Sequence, residues 1–103
     1  MKYLAIDLET TGLDPDNDDI LEIAAVPLDE NLVELPGRYV RKLVWKGPLF
    51  RDAVRNMHMS SGLVKPSASR LRERWYEVVG PQATVQEVEQ DLTRLVIWCD
   101  PIA

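Results

Sequence analysis

The sequence predicts an α/β domain in which a mixed sheet opens as an antiparallel three-strand meander and is followed by helices. Runs rich in β-branched and aromatic residues, punctuated by Gly and Pro, fill the first half of the chain. Apolar residues at helical spacing dominate the end of the second half. The length of 103 residues allows one domain, read here as spanning 1–103, with about 65% of the unfolded surface available for burial.

Each element has its own signal. Tyr3-Leu4-Ala5-Ile6 is a short apolar strand, bounded by the polar, turn-prone stretch from Asp7 to Asp19. Ile20 to Val26 is the second strand, ended by Pro27. Arg38 to Trp45 is the third, entered through Pro36-Gly37 and left through Gly47-Pro48. The connection from Leu28 to Leu35 is short enough to make the second and third strands antiparallel neighbours. Leu49 to Met59 is expected to form a short helix ending near Gly62, and Ser67 to Val79 a charged helix stopping at Gly80-Pro81. Thr84-Val85-Gln86-Glu87 is a capping box, whose hydroxyl and carboxylate can satisfy amides that a first helical turn leaves free. Behind it Val85, Val88, Leu92, Leu95 and Val96 form one helical stripe. Val96-Ile97-Trp98-Cys99 then turns apolar without a helical period and is expected to open a new strand.

Composition narrows the function classes. Hydrophobic residues make up 46% and charged residues 28% of the chain, which excludes disordered and collagen-like chains. No run approaches the ~18 apolar residues of a membrane span, and Asp7 interrupts any signal-peptide core. The single cysteine, Cys99, excludes an internal disulfide framework and a multi-cysteine zinc site, and is read as a packing residue. A soluble, cytoplasmic domain without a membrane partner is the expectation. The net charge is −5, from 12 Lys and Arg against 17 Asp and Glu. Binding nucleic acid by phosphate neutralisation usually needs a basic surface, so a nucleic-acid function here would call for bound metal cations.

The residues that could carry chemistry lie near the N-terminus. In an extended chain Asp7 and Glu9 point to the same face. Carboxylates so close repel unless one is protonated or a cation lies between them, and Mg²⁺ or Mn²⁺ suits an all-oxygen site; a solvated strand end is the alternative. Thr10, Thr11, Gly12 and Leu13 follow, with hydroxyls and a glycine that permit close approach of a ligand group, or simply an ordinary turn. Asp14, Asp16, Asp18 and Asp19 fail the calcium-loop template, which would place Asp19 where glycine is needed and Ala25 where glutamate is needed. They are read as a solvated turn. Glu22 faces either solvent or the carboxylate pair. His58, the only histidine, either caps a helix C-terminus or contacts substrate together with the Ser60-Ser61-Gly62 that follows. Arg70, Arg72 and Arg74, interleaved with Glu73 and Glu77, are read as a solvated helix face, and Trp45, Trp75 and Trp98 as core packing.

Ala5-Ile6-Asp7-Leu8-Glu9-Thr10-Thr11-Gly12-Leu13 resembles the first exonuclease motif of the DnaQ-like, or DEDD, 3′–5′ exonucleases, and Ile20 to Val26 fits the family's second strand. His58-Met59-Ser60-Ser61-Gly62-Leu63 is similar to a stretch of the oligoribonuclease branch. The resemblance implies a ribonuclease H-like fold and hydrolysis of 3′-terminal phosphodiesters of single-stranded DNA or RNA, releasing nucleoside 5′-monophosphates. It implies two Mg²⁺ or Mn²⁺ ions in the complete site, one activating water and the other stabilising the leaving oxygen. Asp7 and Glu9 would be catalytic metal ligands; Thr10, Thr11, Gly12, Leu13, His58 and Ser61 would contact substrate. The family's two further aspartates and its His or Tyr base would lie C-terminal to Ala103, Val96 to Ala103 resembling the lead-in to the second motif. On this reading the chain is the N-terminal half of an exonuclease domain, with half of its active site and an exposed sheet edge open to self-association. The alternative is a non-catalytic nucleotide- or nucleic-acid-binding module, or a subunit completed by a partner chain. Ala53, where oligoribonucleases carry Trp, favours a broader exonuclease over a dinucleotide-specific one.

Overall fold

The computed structural model describes residues 2–68 and 75–99. Its organising element is β2 (Ile20–Leu28), in which Leu21, Ile23, Ala25 and Pro27 are buried while the residues between them are half-buried. That alternation is what a strand with one core face requires. β1 (Tyr3–Thr10) pairs antiparallel with one side of β2 and β3 (Tyr39–Lys42) with the other, giving the sheet order β1-β2-β3. The predicted meander is therefore present, with altered boundaries. β1 runs on to Thr10, so Asp7 and Glu9 lie within the paired strand and not beyond its end. β2 continues through Pro27, which lies past the last β3 pairing at Ala25. The missing N–H there breaks no ladder bond, and the Pro27 carbonyl accepts the Leu35 N–H at 2.9 Å.

The expected third strand, Arg38 to Trp45, is divided. After Lys42 the chain leaves the sheet through Leu43, which bridges Ala83 in parallel. β4 (Lys46–Pro48) then enters a second sheet of order β4-β6-β5, with β5 at Val64–Pro66 and β6 at Trp75–Val78. The charged helix expected over Ser67 to Val79 is corrected by this sheet. Ser67 is buried outside any helix, and Trp75-Tyr76-Glu77-Val78 is the central strand, with Tyr76 and Val78 inward. The aromatic and β-branched residues and their period of two outweigh the helix-forming charges. Pro48 and Pro66 sit on the edge strands, where a missing donor is tolerated. Arg70, Arg72, Glu73 and Arg74 fall outside the described residues, as does Asp100.

α1 (Asp52–Ser60) starts later than expected because Leu49 is buried in the core and Arg51 takes an extended N-cap conformation. α2 (Val85–Cys99) begins at the predicted cap, with the Glu87 N–H donating to Thr84 Oγ1 at 3.2 Å. The strand expected from Val96 is instead its last turn. Cys99 continues the Val88, Leu92, Leu95 stripe, is buried, and lies 3.5 Å from the Tyr3 carbonyl through its Sγ, so its reading as packing stands. One core cluster joins Leu21, Leu49, Leu63, Val64, Tyr76 and Val78; a second joins Ile23, Leu43, Ala83 and Val88 beneath α2. Leu21 and Ile23 place β2 in both.

Candidate active site

Asp7 pairs with Ala24 and Glu9 with Glu22 in the β1–β2 register. Partners across an antiparallel ladder share a face, so Asp7 and Glu9 project from the face opposite Leu21, Ile23 and Ala25. Glu22 in turn pairs with Lys42 of β3. Glu9, Glu22 and Lys42 thus form a cross-strand row, in which a cation neighbours a pair of carboxylates that would otherwise repel. The three line a cavity of about 180 Å³ with Met57, His58, Ser61 and Leu63. Lys42 Nζ also donates to the Val79 carbonyl at 2.9 Å. A register slip follows Glu9, before Thr10, and such irregularities re-aim the chain where a strand leaves its ladder.

The loop that leaves β1 is tied down by its own side chains. Thr10 Oγ1 donates to the Gly12 carbonyl at 2.6 Å, and Thr11 Oγ1 donates to Asp18 Oδ1 at 3.0 Å while accepting the Asp19 N–H at 2.9 Å. Asp18 Oδ2 accepts the Asp14 N–H at 2.8 Å. Gly12 is required by this arrangement: a Cβ there would lie 2.7 Å from the Asp18 carboxyl carbon. Asp18 is thus a hub of the loop and not the solvated turn residue its sequence context predicts. Asp14 caps the turn, and hydrogen bonds from the Asn17 side chain and the Asp16 N–H hold its carboxyl below the usual carboxylate range. Leu13 stands at the tip, 92% exposed.

His58 is 1% exposed, brought beside the end of β1 by α1. Its Nε2 lies 2.7 Å from the Thr10 carbonyl oxygen and its Nδ1 lies 3.9 Å from Glu9 Oε2. A carbonyl oxygen only accepts, so Nε2 carries the proton and Nδ1 is the nitrogen turned to Glu9. The alternative of a helix cap is set aside by this geometry, since His58 bonds to β1. Ser61 closes α1, its Oγ donating to the His58 carbonyl at 3.2 Å.

The structure brings Glu9, Thr10, His58 and Ser61 together; Asp7 shares their strand face, and Gly12 and Leu13 extend from it on the braced loop. Lys42 is the residue that sequence reasoning missed. Its signal was available only through register: once β2 and β3 are antiparallel neighbours, Glu22 has a definite partner. The donors fit a hard divalent cation in kind, being paired carboxylate oxygens on one face. They do not complete a site, because among the described residues no group of three or more His, Cys, Asp or Glu is placed to hold a metal ion.

A family model described as an exonuclease, RNase_T, matches residues 4–96. The chain belongs to this exonuclease family. Two curated proteins, the oligoribonucleases of Haemophilus influenzae strains PittGG and 86-028NP, are each 38% identical to it over 77 residues, covering 71% of this chain and 42% of theirs. The chain therefore spans less than half the length of these relatives. The DnaQ-like resemblance read from Ala5 to Leu13 is borne out by the family match, and the three-strand antiparallel meander with its helices agrees with a ribonuclease H-like fold. No described helix of this exonuclease-family chain is long and apolar enough to cross a membrane.

Proposed function

We propose that this chain carries the first part of a metal-dependent 3′–5′ exonuclease site, acting on the 3′ ends of single-stranded DNA or short RNA and releasing nucleoside 5′-monophosphates. The observation that carries the reading is the placement of Asp7 and Glu9 on one face of β1, directly before a braced loop and beside His58. Asp7 and Glu9 would hold Mg²⁺ or Mn²⁺, which supplies charge for the phosphate, a deprotonated water and stabilisation of the leaving oxygen. The chain's own residues do the rest of the positioning. His58 holds the Thr10 carbonyl, and so the exit of β1. Asp18 holds Thr11 and Gly12 close together, leaving the exposed Leu13 side chain free to lie against a terminal base. Lys42 places a positive charge in the same cavity as Glu9. The remaining ligands and the base are proposed to come from the portion of the longer relatives that this chain does not span, or from a second chain meeting the β1 edge. The family membership favours an enzyme over the non-catalytic module.

The test is degradation of a 5′-labelled single-stranded oligonucleotide in Mn²⁺, with EDTA and Asp7→Ala as controls. Activity is expected from the chain once the complementary portion is supplied, and loss of a direct ligand is expected to lower it by more than the 10–100-fold typical of outer-sphere partners. A ladder that survives Asp7→Ala would overturn the assignment.

A further inference from the structure

A second cleft, of about 370 Å³, opens on the other side of the 11–19 loop, between that loop and the segment from Trp45 to Arg51. Its walls combine aromatic faces, cations and carboxylates. The Trp45 indole is held in place twice over. Its Nε1 donates to Asp19 Oδ2 at 3.0 Å, and its ring lies against Gly47, where an added Cβ would come within 3.0 Å of it. Phe50 is 77% exposed at the rim, although it precedes a helix whose neighbour Leu49 is buried; the apolar ring is presented to solvent and not to the core. Arg51 beside it is exposed, and it and Lys46 line the same cleft. Oriented aromatic faces with adjacent cations are the arrangement by which proteins hold unpaired bases and their phosphates.

We infer that this cleft is a nucleotide-binding subsite for single-stranded nucleic acid, separate from the Asp7–Glu9 face, in which a base stacks on Phe50 or Trp45 and its phosphate meets Arg51. The acidic wall gives the subsite a base preference. The Asp18 and Asp19 carboxylates already accept protein donors, but a carboxylate has lone pairs for further ones, and it repels the carbonyl edge of uracil or thymine. Bases with exocyclic amino groups can donate to it. The subsite borders the loop that leaves the proposed exonuclease site, since Thr11 lines the cleft and follows Glu9 by two positions. It would therefore grip a nucleotide remote from the one being cleaved. This inference extends the exonuclease reading without depending on catalysis.

The experiment is fluorescence-anisotropy titration of the full chain with labelled oligoadenylate and oligouridylate in EDTA, so that metal at Asp7 and Glu9 contributes nothing. Oligoadenylate is expected to bind more tightly. Phe50→Ala and Arg51→Ala are each expected to weaken that binding about tenfold, the scale of one stacked base or one charged contact, with Arg51→Lys restoring part of the loss. Both positions are exposed, so unchanged thermal unfolding separates a binding defect from a folding one. Wild-type affinity in Phe50→Ala and Arg51→Ala would overturn the subsite even if Asp7→Ala abolishes degradation. Binding lost in both variants, with no degradation by any protein even when the complementary portion is supplied, would uphold the subsite and sink the exonuclease reading. Equal affinity for the two homopolymers would overturn the base preference.

Discussion

Gly12 and the Asp18 carboxylate pack directly against each other in the loop that leaves β1. The Asp18 carboxylate occupies the space a Gly12 side chain would need, while its two oxygens hold Thr11 and Asp14. Gly12→Ala is expected to cost about 1–3 kcal/mol, the usual scale of overpacking, because the carboxylate cannot retreat without releasing both donors. In an Asp18→Ala background the same change should cost much less, since the obstruction is gone. Urea unfolding of the two single variants and the double variant measures the difference, and additive costs would show that the two residues do not act through one contact. Gly12 was legible as a residue permitting close approach. What approaches it was not, because Asp18 reaches it only after the loop closes on itself.

At the scale of elements, the attachment of α2 to the first sheet rests on few side chains. Val88 and Leu92 pack over Ile23 and Leu43, and the Tyr39 hydroxyl of β3 donates to Asp91 Oδ2 of α2 at 2.9 Å. Burial, and then the hydrogen bond and charge of Asp91, push the Tyr39 phenol up from 10.0 to about 12. The folded state therefore favours the protonated phenol. This contribution to stability is fully present below pH 10.0, the unfolded value, and is lost as pH rises through the folded value of about 12. Tyr39→Phe is expected to lose about 1 kcal/mol at neutral pH, the net value of such a bond, and to unfold with a weaker pH dependence across that alkaline window. Denaturant midpoints measured across the window check both. The boundaries of α2 show where periodicity reading stops: Thr84 announced its start, but Val96-Ile97-Trp98 concealed its last turn. The helical turn there buries Cys99 with its Sγ against the Tyr3 carbonyl.

At the scale of the whole molecule the fold leaves much surface uncovered. It exposes 7058 Å², against about 5,900 Å² for a compact monomer of this mass. β1 is an outer strand of its sheet, and on it Ile6 and Leu8, which point to the α2 side, are 55% and 43% exposed. An open edge with apolar residues invites pairing with another strand. The self-association proposed for this edge should appear as concentration-dependent sedimentation, reduced by Ile6→Lys, whose charge cannot be buried unpaired. A monomer at all concentrations would count against it. The acidic net charge of −5 has its counterpart here, in the two carboxylates of Asp7 and Glu9 displayed together on one face of β1.

The sequence by itself determined the meander, the start of α2, and the pairing of Asp7 with Glu9 on one strand face, because these depend on period, turn residues and caps that act within a few positions. The DnaQ-like relationship was legible for the same reason, being carried by contiguous residues from Ala5 to Leu13. Tertiary structure alone decided the second sheet, where β6 lies between β4 and β5 and its alternation outweighs the charges nearby. It alone brought Lys42 opposite Glu22, His58 to the Thr10 carbonyl and Asp18 onto Gly12. Those contacts join residues whose types are individually ordinary, and their meaning comes from register and loop closure, which no local pattern encodes.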